Sequence, residues 1–315
     1  MQNLHRREFL KLSGALTAGA LLLGSGCAPK PAKIANRPQP TVPARDQAYL
    51  AVARGLDPAK VTRVALAALG GIERFVKAGQ EVIVKPNIGF AYHGPEYATT
   101  TNPQVVAALV TLCLEAGAKR VRVMDMPSGG TPAAAYSVSG IEEAVKAAGG
   151  EMTIMSHLKY ARYEIPEGRD ITEWEIYQDV METDVLIDVP IAKHHSLARI
   201  TAGSKNLLGV VAQPNRIHRN LGQRIADLVS VIRPTLTVVD AVRILTNHGP
   251  TGGSLNDVQQ TDTVIASHDI VCADAYAATL FGLQGEDISY IKAAADQGLG
   301  ILDLKSIPIE EISVS

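Results

Sequence analysis

Val82-Ile83-Val84-Lys85-Pro86-Asn87 is a short apolar run that ends in a lysine, a proline and an amide. Consecutive apolar residues without polar alternation are what a strand covered on both faces requires, and such strands belong to parallel sheets. The form recurs: Val121 to Met124 precedes Asp125, Val185 to Ile187 precedes Asp188, and Leu236 to Val239 precedes Asp240. Helix-like segments lie between them at Pro103 to Ala116, Ile141 to Ala148 and Leu221 to Ile232. Thr101-Asn102 ahead of Pro103 makes a helix start with proline at the first helical position. Alternating β and α units predict an α/β fold, an open, doubly wound and mostly parallel sheet with helices on both faces. The stretch from Glu151 to Asp179, with Tyr160, Tyr163 and Trp174, breaks the alternation and reads as an insertion or an edge hairpin.

In open parallel sheets ligands gather at the carboxyl edge, where strand order switches. All four strand ends carry polar groups there, so Lys85, Asn87, Asp125, Asp188 and Asp240 are expected around one cleft. The chain after Asp188 adds Lys193-His194-His195 and then Gly203-Ser204-Lys205-Asn206-Leu207-Leu208-Gly209. Lys85, Lys193 and Lys205 suit carboxylate or phosphate oxygens, and the Gly203-Ser204 backbone suits an approaching anion. His194 and His195, adjacent on extended backbone, point to opposite sides, so one of them is expected to face the cleft. The loop Gly249-Pro250-Thr251-Gly252-Gly253 offers close backbone approach, and Met126 to Thr131 has similar chemistry. His218, in a basic stretch before a helix, reads as solvated. Cys113 and Cys272 sit in apolar helical surroundings and read as inert core residues.

The 315 residues carry 30 Lys+Arg against 32 Asp+Glu, a net charge of −2, and only 4% aromatic residues. No basic field for nucleic acid exists at that balance. Three cysteines without a C-x-x-C pair support neither a disulfide framework nor an iron-sulfur cluster in this chain. Walker, dinucleotide-turn, Gly-x-Ser-x-Gly and His-Glu-x-x-His patterns are all missing from the sequence.

At the N-terminus, Arg6-Arg7-Glu8-Phe9-Leu10-Lys11 precedes a Gly- and Ala-rich apolar run from Leu12 to Leu23, too short to span a bilayer. This resembles the twin-arginine signal family, with His5 where the motif has Ser or Thr. It implies passage through the twin-arginine translocase across a bacterial inner membrane. Cys27, after Gly24-Ser25-Gly26, resembles a lipoprotein acceptor cysteine, although Leu23 lies one place further back than usual. Lipidation at Cys27 and ordinary cleavage nearby both fit, so the mature protein is expected either membrane-anchored or free in the periplasm. The expected organisation is a signal over residues 1–27, a proline-rich tether over 28–45 with five prolines, and a single domain over 46–315. Loss of residues 1–26 removes Arg6, Arg7 and Lys11 against Glu8 and moves the net charge from −2 to −4.

Lys85-Pro86-Asn87, Lys193-His194-His195, Gly203 to Gly209, Asp240, Gly249 to Gly253 and the pair Asp269 and Asp274, in that order from about Gln80 to Leu283, resemble the family called domain of unknown function 362. Many members carry a cysteine-rich ferredoxin-like insertion, which this sequence lacks.

Taken together, these residues imply an exported enzyme acting on a small anionic substrate. His194 or His195 would be the acid or base, with Lys205 beside it. Lys85, Asn87, Lys193, Ser204, Asn206, Thr251, Gly252 and Gly253 would bind, and Asp125, Asp188 and Asp240 would orient these groups or hold a divalent metal. A tethered non-catalytic metabolite- or metal-binding protein, and an accessory of membrane electron transfer, are the alternatives.

Overall fold

The computed structural model describes residues 48–315; the predicted signal and tether, with Cys27, lie outside the described residues. In chain order the strands are β1 (Leu50–Arg54), β2 (Glu81–Pro86), β3 (Arg120–Val123), β4 (Glu151–Met152), β5 (Tyr160–Glu164), β6 (Glu173–Tyr177), β7 (Val185–Val189), β8 (Ile191–His195), β9 (Arg199–Thr201), β10 (Leu236–Leu245), β11 (Val258–Ser267) and β12 (Ile309–Ser313). The main sheet runs β12-β1-β11-β10-β7-β2-β3-β4, with β8 paired to β10 and β9 paired to β8. Strands β10, β7, β2, β3 and β4 are mutually parallel, which makes the fold α/β as the sequence predicts.

β11 departs from that pattern, running antiparallel to both β10 and β1. Only the first half of β10 pairs with parallel β7, through Leu236 and Thr237. Asp240 and Arg243 interrupt the apolar run beyond it, so the second half does not read as strand. β5 and β6 form a separate antiparallel hairpin, which is the irregular segment seen in the sequence.

Helices cover both faces because alternate strand residues feed two cores. On one side Ala51, Ala53, Val82, Val84, Val121 and Val123 pack with residues of helices Pro58–Ala68, Pro103–Glu115 and Ile141–Ala147. On the other, Leu50, Val52, Val239, Ala241 and Ile265 pack with Cys272, Ala273 and Tyr276 of helix Ile270–Thr279. Helix Pro103–Glu115 starts as expected: the Asn102 side chain accepts from the Gln104 amide at 2.9 Å. Cys113 and Cys272 are buried free thiols, and burial pushes the Cys113 thiol up to about 12. Among the described residues no helix is long and apolar enough to cross a membrane.

The sheet's strand order places the site. From β2 the chain moves outward to β3 and then β4, whereas β7 returns to the opposite side of β2 and leads on to β10. The order therefore switches between β2 and β7, where the carboxyl ends part and leave a crevice. In the β2/β7 register Lys85 lies opposite Asp188 and Pro86 opposite Val189. Two of the expected residues thus face each other before any side-chain interaction is considered.

One buried carboxylate docks the hairpin. Asp227, on helix Leu221–Ile232, accepts from the amides of Arg169 at 2.9 Å, Asp170 at 2.8 Å and Ile171 at 3.0 Å. Asp227→Ala strands those amides, so we expect a loss of about 2–4 kcal/mol in urea denaturation. An unchanged midpoint would show that the hairpin is held elsewhere.

Candidate functional site

Lys85, at the end of β2, is completely buried, so its ammonium has to be met by fixed acceptors. Its Nζ donates to Asp125 Oδ1 at 2.7 Å and to the Pro86 carbonyl at 3.0 Å. Asp125, just past β3, takes the Ile88 amide on Oδ2 at 2.7 Å. The pair thereby ties together the ends of two neighbouring strands and the start of the loop after β2. Gly209 leaves the space it needs: a Cβ there would clash with Asp125 Oδ1 and stand 2.9 Å from Lys85 Nζ.

A chain of hydrogen bonds crosses the crevice beside this pair. Lys193 Nζ donates to Asn87 Oδ1 at 3.1 Å, Asn87 Nδ2 to Asn206 Oδ1 at 3.0 Å, and Asn206 Nδ2 to Asp188 Oδ1 at 2.8 Å. The lysine can only donate, so it fixes the orientation of Asn87, which fixes that of Asn206. Lys193 also donates to the Thr99 carbonyl at 2.6 Å. Burial, with the charges of Lys205 and Lys85 adding to it, pulls the Lys193 ammonium down to about 7. At the other end burial drives Asp188 well above the carboxylate range, against the pull of Lys85. Asp188 Oδ2 has no hydrogen-bond partner among the described residues.

Lys193 and His195 lie on one face of β8, with His194 on the other, as the strand's alternation requires. His195 Nδ1 accepts from the amides of Leu197 at 3.1 Å and Ala198 at 3.3 Å, so its proton resides on Nε2. Burial, then Lys205 and Lys193, lower His195 to about 3. In this state His195 offers Nε2–H as a donor. His194 Nδ1 accepts from the Gly249 amide at 3.1 Å and anchors the loop after β10.

Lys205 is half-buried and makes no ion pair or hydrogen bond among the described residues; burial lowers it to about 8. His218, read from the sequence as merely solvated, is lowered by partial burial and by the charge of Lys205. Lys193, Lys205, His195 and His218 thus form a basic group in which no lysine is neutralised by an ion pair, and such a group favours an anion.

Several expected donors are already engaged. The Gly203 and Ser204 amides donate to Asp274 at 2.5 and 2.8 Å, so this backbone does not face an anion. Asp274 sits in helix Ile270–Thr279 and braces the turn that carries Lys205 and Asn206; burial raises it to about 7. The Gly252 amide closes its own turn onto the His248 carbonyl at 3.1 Å. Gly252 nevertheless abuts the cleft wall, since a Cβ there would lie 3.0 Å from Thr99 Cγ2. Thr251 is half-buried in the same turn, between Pro250 and Gly252. Asp240 accepts from the amides of Asn102 at 2.7 Å and Val242 at 2.9 Å, and burial raises it to about 6.

From the sequence, Asp125, Asp188 and Asp240 are expected to orient the binding groups or hold a divalent metal. No group of three or more His, Cys, Asp or Glu placed to hold a metal occurs among the described residues. Asp125 is bonded to an ammonium and an amide, Asp188 to an amide, and Asp240 to two backbone donors.

Two outcomes follow from this geometry. Gly209→Ala drives a methyl into a buried ion pair, and we expect at least about 3 kcal/mol of destabilisation by calorimetry. Wild-type stability would sink the claim that Gly209 makes room for the pair. The second concerns Lys193, whose ammonium is lowered in the fold. Between about pH 7 and its unfolded value near 10.5 the unfolded chain binds the extra proton. Stability should rise with pH there, by up to about 1.4 kcal/mol per unit relative to Lys193→Met. A flat difference between the two proteins would mean that Lys193 is ordinarily charged.

Among relatives, the thylakoid-associated protein sll1697 of Synechocystis is 28% identical over 254 residues, spanning 76% of this chain and 74% of the relative. The lactate racemase apoprotein of Thermoanaerobacterium thermosaccharolyticum matches with a TM-score of 0.45 and 10% identity, covering 84% of this chain and 62% of that one. A structural-genomics crystal structure from Thermotoga maritima gives 0.41 and 12%, covering 73% of this chain and 60% of that one. This chain therefore spans less than two thirds of either solved structure. The sequence pattern of the family described as domain of unknown function (DUF362) matches residues 82–279, and the chain belongs to that family.

Proposed function

We propose that the protein is an enzyme that binds a small organic anion at the β2/β7 crevice and moves a proton on it, with Lys193 as base. One observation carries this reading: Lys193 and Lys205 are close enough for the charge of Lys205 to lower Lys193, and neither makes an ion pair among the described residues. Two uncompensated lysines in a crevice attract an anion and keep one amine near neutrality at physiological pH. Lys205 would hold the anionic oxygens and His195 Nε2–H would donate to them. The neutral Lys193 amine would take a proton from the neighbouring carbon, and the electron pair would pass into the substrate's carbonyl group. Re-protonation from the Lys193 ammonium completes an isomerisation or exchange. Asn87, Asn206 and Asp188 would hold Lys193 in place.

The working protonation states are neutral Lys193 and charged Lys205. Activity should therefore rise through about pH 7 and fall above about pH 8, giving a narrow bell. The direct test is solvent-deuterium exchange into a panel of small carboxylates, followed by proton NMR. Lys193→Met should slow exchange about 100-fold or more, and Lys205→Ala should raise KM about tenfold or more. Thermal stabilisation by the anions with no exchange into any of them would turn the reading into that of a non-catalytic binder.

The cellular setting belongs to the same proposal. The Arg6-Arg7 segment supports export, Cys27 and the prolines after it support a tethered lipoprotein, and the Synechocystis relative is named a thylakoid-associated protein. Cys27→Ser should release the protein from the membrane fraction in its host. Unchanged fractionation would remove the anchor.

A further inference from the structure

The chain is poor in rings, with 4% aromatic residues, yet Phe90, Tyr92, His93 and Tyr97 fall within eight positions. They lie on the loop between β2 and helix Pro103–Glu115, beside the basic group. Lys193 Nζ stands 5.9 Å from the Phe90 ring centre, and its acceptor Thr99 follows the loop directly. The rings form two stacks. Phe90 and Tyr92 are 5.4 Å apart at 23°, and His93 and Tyr97 are 4.5 Å apart at 26°. Tyr92 and His93, one from each stack, meet at 73° with centres 6.5 Å apart. The result is a corner with two ring-lined walls, and Tyr92 keeps 56% of its surface exposed.

The loop is built into the site by its neighbours. Ser128 and Ala91 amides tie it to the chain after β3, donating to Gly89 O at 2.8 Å and Gly129 O at 3.1 Å. Gly129 is required there, because a Cβ would lie 2.6 Å from the Tyr92 hydroxyl and 2.8 Å from Phe90 Cδ1. On the other flank a Cβ at Gly253 would lie 3.9 Å from His93 Nε2. The rings are therefore held between the two glycine loops that border the crevice. An open Tyr face with a second stack turned nearly edge-on offers one stacked and one edge-to-face contact to a flat π system, an arrangement that an aliphatic group exploits less well.

We propose that the anion bound at Lys193 and Lys205 carries a flat aromatic ring that seats in the Tyr92/His93 corner, so that the ligand class is a carboxylate with an aryl substituent and a C–H beside its carboxyl group. This rests on the anion reading given above and adds the identity of the group attached to the anion. The acidic end meets the lysines beneath Phe90, and the ring lies outward, where the loop offers π faces and only Glu96 as a charge.

The test compares benzoate with cyclohexanecarboxylate, which share a carboxylate and a six-membered ring and differ in planarity and π electrons. Titration of the folded protein at pH 7, followed by calorimetry or NMR, should show benzoate binding about tenfold more tightly. Tyr92→Leu, at a largely exposed position, should bring the two affinities to about the same value. Equal affinities in the wild type overturn the aromatic inference and leave the anion site standing. A preference that survives in both Tyr92→Leu and Phe90→Leu also overturns it, because the ring would then be recognised elsewhere. No binding of benzoate, cyclohexanecarboxylate or inorganic phosphate overturns the anion reading itself.

Discussion

A lysine ammonium sealed inside a sheet leaves the surrounding chain little freedom, and the Lys85–Asp125 pair sets the rest of this site. At 2.7 Å, with both side chains almost fully buried, each charge is tolerable only while the other stays in place. The pair requires Lys85 of β2 to lie beside the chain that leaves β3, which the Val84–Val123 register provides, and it requires a residue without a side chain at Gly209. Once Asp125 is fixed, its second oxygen holds the Ile88 amide and directs the loop that carries Phe90 and Tyr92. Replacing the pair with apolar residues of similar volume would often cost little stability. Its retention is better explained by the geometry it imposes on the crevice than by any contribution to folding.

Much of the fold was legible because buried parallel strands leave a plain signature. Val82–Val84 and Val185–Ile187 fall inside β2 and β7, helix Leu221–Ile232 has the predicted ends, and Asn102 caps helix Pro103–Glu115. The antiparallel part was not legible, because Asp240 and Arg243 divide β10 and the polar first half of β11, Val258–Thr263, resembles a surface loop. Membership of a residue in the crevice could be read from strand ends. The role of each side chain could not, because roles depend on which partner arrives first. Gly203 and Ser204 look like an anion cradle until Asp274, about seventy positions further on, occupies their amides. His195 looks like a base until two backbone amides occupy Nδ1. The ring-bearing loop gave no periodic signal, and its importance emerges only where it crosses Lys193.

Two kinds of charged group can be separated in the crevice. Lys85, Asp125, Asp240 and Asp274 have their charges or lone pairs met by partners within hydrogen-bond distance, and they act as fixed struts. Lys193 and Lys205 make no ion pair among the described residues, and burial leaves each less stable as a cation than it would be in water. A protein gains nothing in folding free energy from such an arrangement, and groups destabilised in this way mark functional sites more often than structural ones. Burial also raises Asp240 to about 6 and Asp274 to about 7, so what sets the two lysines apart is that no ion pair meets them among the described residues, and the proposed binding role rests on that difference.

The choice of Lys193 over His195 as proton carrier follows from how each is held. An imidazole with Nδ1 fixed as acceptor between two amides must keep its proton on Nε2, and surrounding cations resist a second one. It can neither accept at the cleft nor readily give up its only proton. Lys193 has two acceptors, Asn87 Oδ1 and Thr99 O, which satisfy a neutral amine through its two hydrogens and leave its lone pair free. In the proposed reaction the third proton is the one taken from the substrate carbon, and the charge of the bound anion steadies the ammonium that results. A bound anion raises the proton affinity of Lys193, which strengthens it as the proposed base so long as the proton it takes comes from the substrate carbon and not from water.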